Sequence, residues 1–254
     1  MLARVLTFGY GVIVYLIFVA VLVYTIGFLA NAVVPRGIDE GAVGPVWASV
    51  LINAGLLGLF AVQHTVMARP GFKRWWTRFV PQAIERSTFV LAASLVLALV
   101  VWLWRPLPAI VWSVEGGATR LLPHLVYGFG WFVVVGSTFL IDHFDLFGLR
   151  QVAARARERA YEPVGFRQPL VYRLVRHPIM VGFLIAFWAT PDMTAGRLLF
   201  AVLGTAYILV GVRFEERDLR RGLGEAYVNY QAQVPRFVPR PATRTLRRPE
   251  QEHG

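Results

Sequence analysis

Residues 8–30 read FGYGVIVYLIFVAVLVYTIGFLA, from Phe8 to Ala30, without one Asp, Glu, Lys or Arg. A hydrocarbon core of about 30 Å takes roughly 20 apolar residues as a helix. The run exceeds the ~7–15-residue apolar region of a secretory signal. It does so even though Arg4 precedes it and Ala30-Asn31-Ala32 resembles a cleavage site. It reads as a membrane anchor. Working outward, residues 46–68, 87–104 and 121–141 meet or approach the same length, again without a formally charged side chain.

Composition agrees. Of 254 residues, 56% are hydrophobic and only 16% charged, yet Lys+Arg outnumber Asp+Glu by 26 to 15, for a net charge of +11. Mean hydropathy is +0.54. A soluble nucleic-acid binder needs a polar surface to carry its cations, and a disordered chain cannot be this apolar. The absence of Cys excludes disulfides, Cys-ligated zinc, iron–sulfur clusters and a cysteine nucleophile.

After residue 141 the pattern changes. Residues 142–177 hold seven Arg, and then 178–190 and 198–212 are apolar around a turn containing Pro191 and Gly196. The expectation is an all-α, polytopic helical bundle of five to six membrane helices, at about 8–30, 46–68, 87–104, 121–141, 178–190 and 197–213. The last two form a hairpin that crosses the membrane or dips into it. Residues 1–240 read as one membrane domain, and 241–254 as a basic disordered tail. The 69–86 loop has five cations against Glu85, whereas the 31–45 and 105–120 loops are nearly neutral. By the positive-inside rule the N-terminus, the 69–86 loop, residues 142–177 and the C-terminus are cytoplasmic. The +11 charge belongs to the membrane surface, with no nucleic-acid partner.

No Gly-x-Gly-x-x-Gly after a strand, Walker loop or His-Glu-x-x-His is present, so no nucleotide-binding or metalloprotease motif organises the chain. The most specific stretch is Arg173-Leu-Val-Arg176-His177-Pro178-Ile-Met-Val-Gly182. It is followed by Glu215-Glu216, by Gly224-Glu225-Ala-Tyr227-Val-Asn-Tyr230 and by Val234-Pro235-Arg236. Pro178 suits the first turn of a helix capped by His177. The amides that follow form a positive helix end fit for a carboxylate, to which Arg176 adds charge-assisted bonds. Gly182 leaves room for a ligand. Glu215 and Glu216, ending a membrane helix, can accept hydrogen bonds from a ligand amine or ribose. The same spacing equally suits an interfacial helix cap, with the carboxylates paired to Arg213, Arg217 or Arg220.

This region resembles the C-terminal signature of the membrane methyltransferases related to isoprenylcysteine carboxyl methyltransferase and phospholipid N-methyltransferases. The resemblance implies an S-adenosylmethionine site at Arg176, His177, Pro178, Gly182, Glu215, Glu216, Tyr227 and Tyr230, with S-adenosylhomocysteine as product and no metal. Met180 stands where many relatives carry Tyr. Four further runs are Gln63-His64-Thr65-Val-Met67-Ala-Arg69-Pro70, Lys73-Arg74-Trp75-Trp76-Thr77, Glu85-Arg86-Ser87-Thr88 and Asp142-His143-Phe-Asp145-Leu-Phe-Gly148-Leu-Arg150-Gln151. With Leu6-Thr-Phe-Gly-Tyr-Gly, they are similar to the bacterial methanethiol S-methyltransferases over roughly residues 5–240. That likeness implies methyl transfer to methanethiol, a small volatile thiol, giving dimethyl sulfide, in a bacterial cytoplasmic membrane and with no obligatory protein partner.

Such a reaction profits from a base, because the thiolate is the nucleophile. Polar residues in membrane helices are the candidates. His64 lies near the cytoplasmic end of the second helix, with Asn53 on almost the same face. His124, Tyr127, Trp131, Thr138, Asp142 and Asp145 fall within about 60° of arc at 100° per residue, and His143 joins them if the helix ends at Asp142. His64, Asp142, His143 and Asp145 are therefore the candidate catalytic residues. The other readings are interfacial placement for His64 and pairing with Arg150 for the two Asp. Two other functions suit the pattern: methylation of isoprenylcysteine, lipid amines or other thiols, and a non-enzymatic membrane scaffold.

Overall fold

Proline and the left-handed conformation punctuate the chain where its apolar runs end. The computed structural model describes residues 1–239, so the tail expected at 241–254 lies outside the described residues. α1 (Leu2–Ala30) ends at Asn31, whose left-handed backbone returns its N–H to the Phe28 and Gly27 carbonyls. α2 (Val46–Ala68) starts after Pro45 and stops before Arg69-Pro70, and Pro70 opens the short α3 (Pro70–Trp76). α4 (Gln82–Leu103) follows Pro81 and ends just before Arg105-Pro106. α5 (Leu121–Ile141) is followed by two short helices, α6 (His143–Leu146) and α7 (Leu149–Ala156). α8 (Pro178–Trp188), α9 (Ala195–Leu223) and α10 (Glu225–Gln233) complete the helices. A two-stranded ribbon pairs β1 (Ile110–Ser113) with β2 (Asp192–Thr194) in antiparallel register.

α1, α2, α4, α5 and α9 are long and apolar enough to cross a membrane. Large apolar side chains on them face outward: Leu16 is 59%, Phe132 71% and Trp102 77% exposed. In water such surface drives aggregation, whereas in lipid it is solvated, so the molecule is an integral membrane protein. Phe28, Val100, Trp104, Trp131 and Phe200 meet in the interior.

The sixth expected pass is different. α8 has 11 residues, about 16 Å of helix, which is too short to span alone. The segment 189–194 continues it in non-helical conformation to the start of α9. α9 runs ten residues beyond 213, because no proline interrupts Phe214–Leu223 and Gly224, at φ +56°, supplies the stop. Glu215 and Glu216 thus lie within a helix and not at its end.

Two polar layers fasten the bundle. At one end Asp39 accepts hydrogen bonds from Arg197 (2.6 Å), Asn31 (2.6 Å) and Thr194 (2.5 Å). Arg36 reaches the Trp102 and Trp104 carbonyls there, and the β-ribbon is at the same end. At the other end lie the 69–86 loop, α6, α7, α10 and the last turns of α9, joined by Arg69–Asp218 at 2.9 Å and by Arg86 on the Leu146 carbonyl at 2.7 Å. The cation-rich segments therefore share one end of the bundle.

α8 packs on α5 through Gly182 and Gly130. A Cβ on Gly182 would stand 2.7 Å from the Gly130 carbonyl oxygen and 2.8 Å from the Val134 amide. Gly182→Ala is expected to lower stability by about 1–3 kcal/mol, measured as a lowered thermal midpoint in detergent. Gly128→Ala, on the same α5 but with nothing within 4 Å of the new methyl group, should leave the midpoint unchanged.

Candidate functional site

The start of α8 is built by a crossing of chain segments. The Arg176 amide donates to the Pro235 carbonyl (2.9 Å) and that of His177 to the Arg236 carbonyl (3.3 Å), so residues 235–236 lie along the helix entry. Pro178 occupies the first turn after His177. The next amides, of Ile179 and Met180, have no acceptor within their own helix by geometry.

Glu216 from α9 projects into this crossing and is 1% exposed. Its Oε1 accepts from Arg176 Nε (2.9 Å) and Nη2 (2.8 Å), from His177 Nε2 (3.1 Å) and from Arg236 Nε (3.2 Å). Its Oε2 accepts from Arg236 Nη2 at 2.5 Å. Arg176 also binds the Gln231 and Val234 carbonyls, at 3.1 and 2.5 Å, which fastens the end of α10. A buried carboxylate with this many donors is saturated. Bonding His177 Nε2 to it turns Nδ1 toward Glu215, 3.6 Å away. Glu215 is half-exposed, with a side chain 46% accessible, and is the carboxylate open to a ligand. The paired Glu therefore divide: Glu216 holds the site together and Glu215 faces out of it.

Tyr227 and Tyr230 are buried beneath this cluster, with Phe166 packed edge-on to both rings. Tyr230 donates to the Tyr172 carbonyl at 2.6 Å. Burial raises both phenols, Tyr230 to about 12, so they remain protonated donors at neutral pH. Gly182, expected to leave space for a ligand, has that space filled by α5 instead. Arg236, absent from the expected set, is a principal partner of Glu216. Its signal was Val234-Pro235-Arg236 trailing the tyrosine helix.

Asp142, His143 and Asp145 form a second cluster. α5 ends at Ile141, and Asp142 caps α6 through the Asp145 amide (3.0 Å) while binding Arg150 at 2.5 Å. Asp145 thereby leaves the polar stripe of α5. It accepts from Tyr161 at 2.8 Å. His143 does meet the stripe: its Nδ1 is 2.7 Å from Thr138 Oγ1 and its Nε2 is 2.8 Å from the Tyr15 hydroxyl. Thr138 donates to the Val135 carbonyl, so its oxygen accepts from Nδ1–H, and Tyr15 donates to Nε2. Neutral His143 then has no spare lone pair, and burial holds its pKa below the ordinary imidazole value.

His64 is in a third place. Its ring stacks on Phe60 (5.4 Å) and touches Phe89 (5.0 Å) and Tyr207 (6.4 Å). Its Nδ1 and the neighbouring Gln63 Oε1 are buried without hydrogen-bond partners. A buried polar atom without a partner is uncommon and calls for an explanation, a strained contact, a catalytic role or a bound water or ion among them. Tyr207 and Glu215 are eight residues apart on α9, about 12 Å along its axis. Asn53, placed on the His64 face by periodicity, closes onto the backbone of Arg105 at 2.7 and 2.8 Å instead. Among the described residues no group of three or more His, Asp or Glu can hold a metal ion.

Fold and site together define a helical integral membrane protein whose buried charge cluster joins the start of α8 and the long α9 to the C-terminal segment. The chain is 52% identical over 242 residues to the methanethiol S-methyltransferase of Mycobacterium tuberculosis, covering 95% of this chain and 99% of that protein. It is 50% identical over 240 residues to methanethiol S-methyltransferase 2 of Bradyrhizobium diazoefficiens, covering 94% and 92%. Bovine nurim is 33% identical over 177 residues, covering 66% and 67%. The chain belongs to the methanethiol S-methyltransferase family, and with that to enzymes that use a methyl donor. No protein-family model matches it, and no solved structure does.

Glu216→Gln leaves two guanidiniums without their counter-charge, Arg176 being the more deeply buried. The expected loss is about 3 kcal/mol of stability, read as a lowered thermal midpoint in detergent. Glu215→Gln removes no hydrogen bond among the described residues and should leave stability within about 0.5 kcal/mol of the parent, with an unchanged thermal midpoint.

Proposed function

We propose that this protein transfers a methyl group from S-adenosylmethionine to methanethiol, giving dimethyl sulfide, S-adenosylhomocysteine and a proton. The observation that carries the reading is the 52% identity to a methanethiol S-methyltransferase across 99% of that relative. When bound, S-adenosylmethionine supplies an electrophilic sulfonium methyl group. The residues at the start of α8 fit its charged parts. Glu215 is a free acceptor for an ammonium or ribose hydroxyls. The Ile179 and Met180 amides suit a carboxylate, and Tyr227 and Tyr230 form a buried aromatic floor.

In this reading His64 takes the thiol proton. Its orphaned Nδ1 supports the assignment, whereas His143 has both nitrogens engaged and Asp142 and Asp145 hold α6 and α7 in place. Phe60, Phe89 and Tyr207 keep water from the imidazole and give a small apolar thiol a place to rest. Positioning and exclusion of water then supply the rate. The cation-rich end, with both termini, is assigned to the cytoplasm of a bacterial inner membrane on the positive-inside rule.

Purified protein given methanethiol and methyl-labelled S-adenosylmethionine should release labelled dimethyl sulfide into the headspace; none released means the substrate assignment is wrong. His64→Ala should reduce turnover about 10²-fold or more at pH 7. The deficit should shrink as rising pH ionises the thiol without help. Full activity of the variant at pH 7 removes His64 as the base.

A further inference from the structure

A cleft of about 560 Å³ opens between the α2–α3 junction and the last turns of α9. Its walls carry Arg69 and Arg74 from one side and Arg217 and Arg221 from the other, with Asp218 as the single carboxylate. Asp218 is already engaged by Arg69 at 2.9 Å, and Arg69 is held further by the Thr65 carbonyl at 3.1 Å. Among the described residues no carboxylate lies within 4.0 Å of Arg74, Arg217 or Arg221. Gly71 and Gly222 line the same cleft, and a Cβ on either would meet nothing within 4 Å. The cations therefore converge on open space instead of spreading over a convex surface.

The level of the cleft is set by its neighbours. Arg69 directly follows the α2 span. α3 and the turn after it carry a cluster of Phe72, Trp75, Trp76 and Phe79, with neighbouring ring centroids 5.4–5.9 Å apart. Trp75 is 49% and Phe79 70% exposed. Exposed aromatic rings at the end of a span belong at the headgroup level, where guanidiniums bind phosphate by paired hydrogen bonds. A ligand with a net positive charge, such as a sulfonium cofactor, is repelled by this lining.

We propose that the cleft holds the phosphodiester headgroup of an anionic membrane phospholipid, gripped by Arg74, Arg217 and Arg221 while Arg69–Asp218 fixes the wall between them. The inference is independent of the methyltransferase reading.

The test uses the full chain in lipid nanodiscs and in detergent. Native mass spectrometry after detergent exchange from phosphatidylglycerol should show a retained lipid on the parent protein, and at least tenfold less retention from phosphatidylcholine. The triple variant Arg74→Gln, Arg217→Gln, Arg221→Gln should lose that preference while keeping the parent's thermal midpoint in neutral detergent. Equal retention of phosphatidylglycerol by parent and variant overturns the proposal. So does stabilisation of the parent by free inorganic phosphate as strong as that by phosphatidylglycerol, because the cleft is then a site for a soluble anion. A variant that fails to fold is replaced by the three single substitutions. Each is then expected to weaken retention, and no effect from any of them overturns the proposal.

Discussion

The Glu216 carboxylate is the point on which the cation-rich end of the molecule depends. It is buried, and a buried anion is tolerated only when its lone pairs are met. Arg176 and His177 bring the start of α8 to it, Arg236 brings the C-terminal segment, and α9 carries it. The same Arg176 binds the Gln231 and Val234 carbonyls at the end of α10, so one ionic cluster fastens the start of α8 to the consecutive run of α9, α10 and the C-terminal segment. Everything proposed for the cofactor follows from that fixation. With Glu216 saturated and His177 turned by its bond to Glu216, the outward carboxylate is Glu215, 3.6 Å from His177 Nδ1 at the start of α8.

The lipid-facing bundle imposes the second constraint. Polar groups inside it must be paired or functional. Most are paired: Asn53 with the Arg105 backbone, His143 with Thr138 and Tyr15, Asp39 with Arg197. His64 Nδ1 is not, and neither are Gln63 Oε1, Ser87 Oγ, Trp104 Nε1 and Trp131 Nε1; of these unpartnered atoms it is the one imidazole nitrogen, and aromatic rings enclose it. Position on a membrane helix does not separate these cases; the accounting of hydrogen bonds does.

Much of this was legible in the sequence. The long apolar runs, free of charge, located α2 and α5 at their observed bounds and found α1 and α4 with starts six and five residues too late, and Pro178 marked the start of α8. The Arg-His-Pro, Glu-Glu and Tyr-x-x-Tyr elements do converge, although they are separated by up to 54 residues, from Arg176 to Tyr230. Periodicity fell short where tertiary contacts decide. It ended the last membrane helix at 213, because a run of charges looks like a loop until one of them proves to be a buried partner. It read Gly182 as ligand space, because a glycine in sequence does not reveal whether a helix or a ligand fills the gap. It drew Asp145 onto a helical stripe that stops at Ile141, and it noted Val234-Pro235-Arg236 without giving Arg236 a role, because spacing along the chain does not show that this segment folds back onto Glu216.

The account stands most directly on the claim that Glu215, and not the saturated Glu216, is the carboxylate offered to the methyl donor. Isothermal titration of S-adenosylhomocysteine into the purified protein reads this without turnover. The expected result is one site per chain, with affinity reduced at least tenfold by Glu215→Gln in protein of unchanged thermal midpoint. Absence of binding to the parent, or equal affinity in parent and variant, contradicts it.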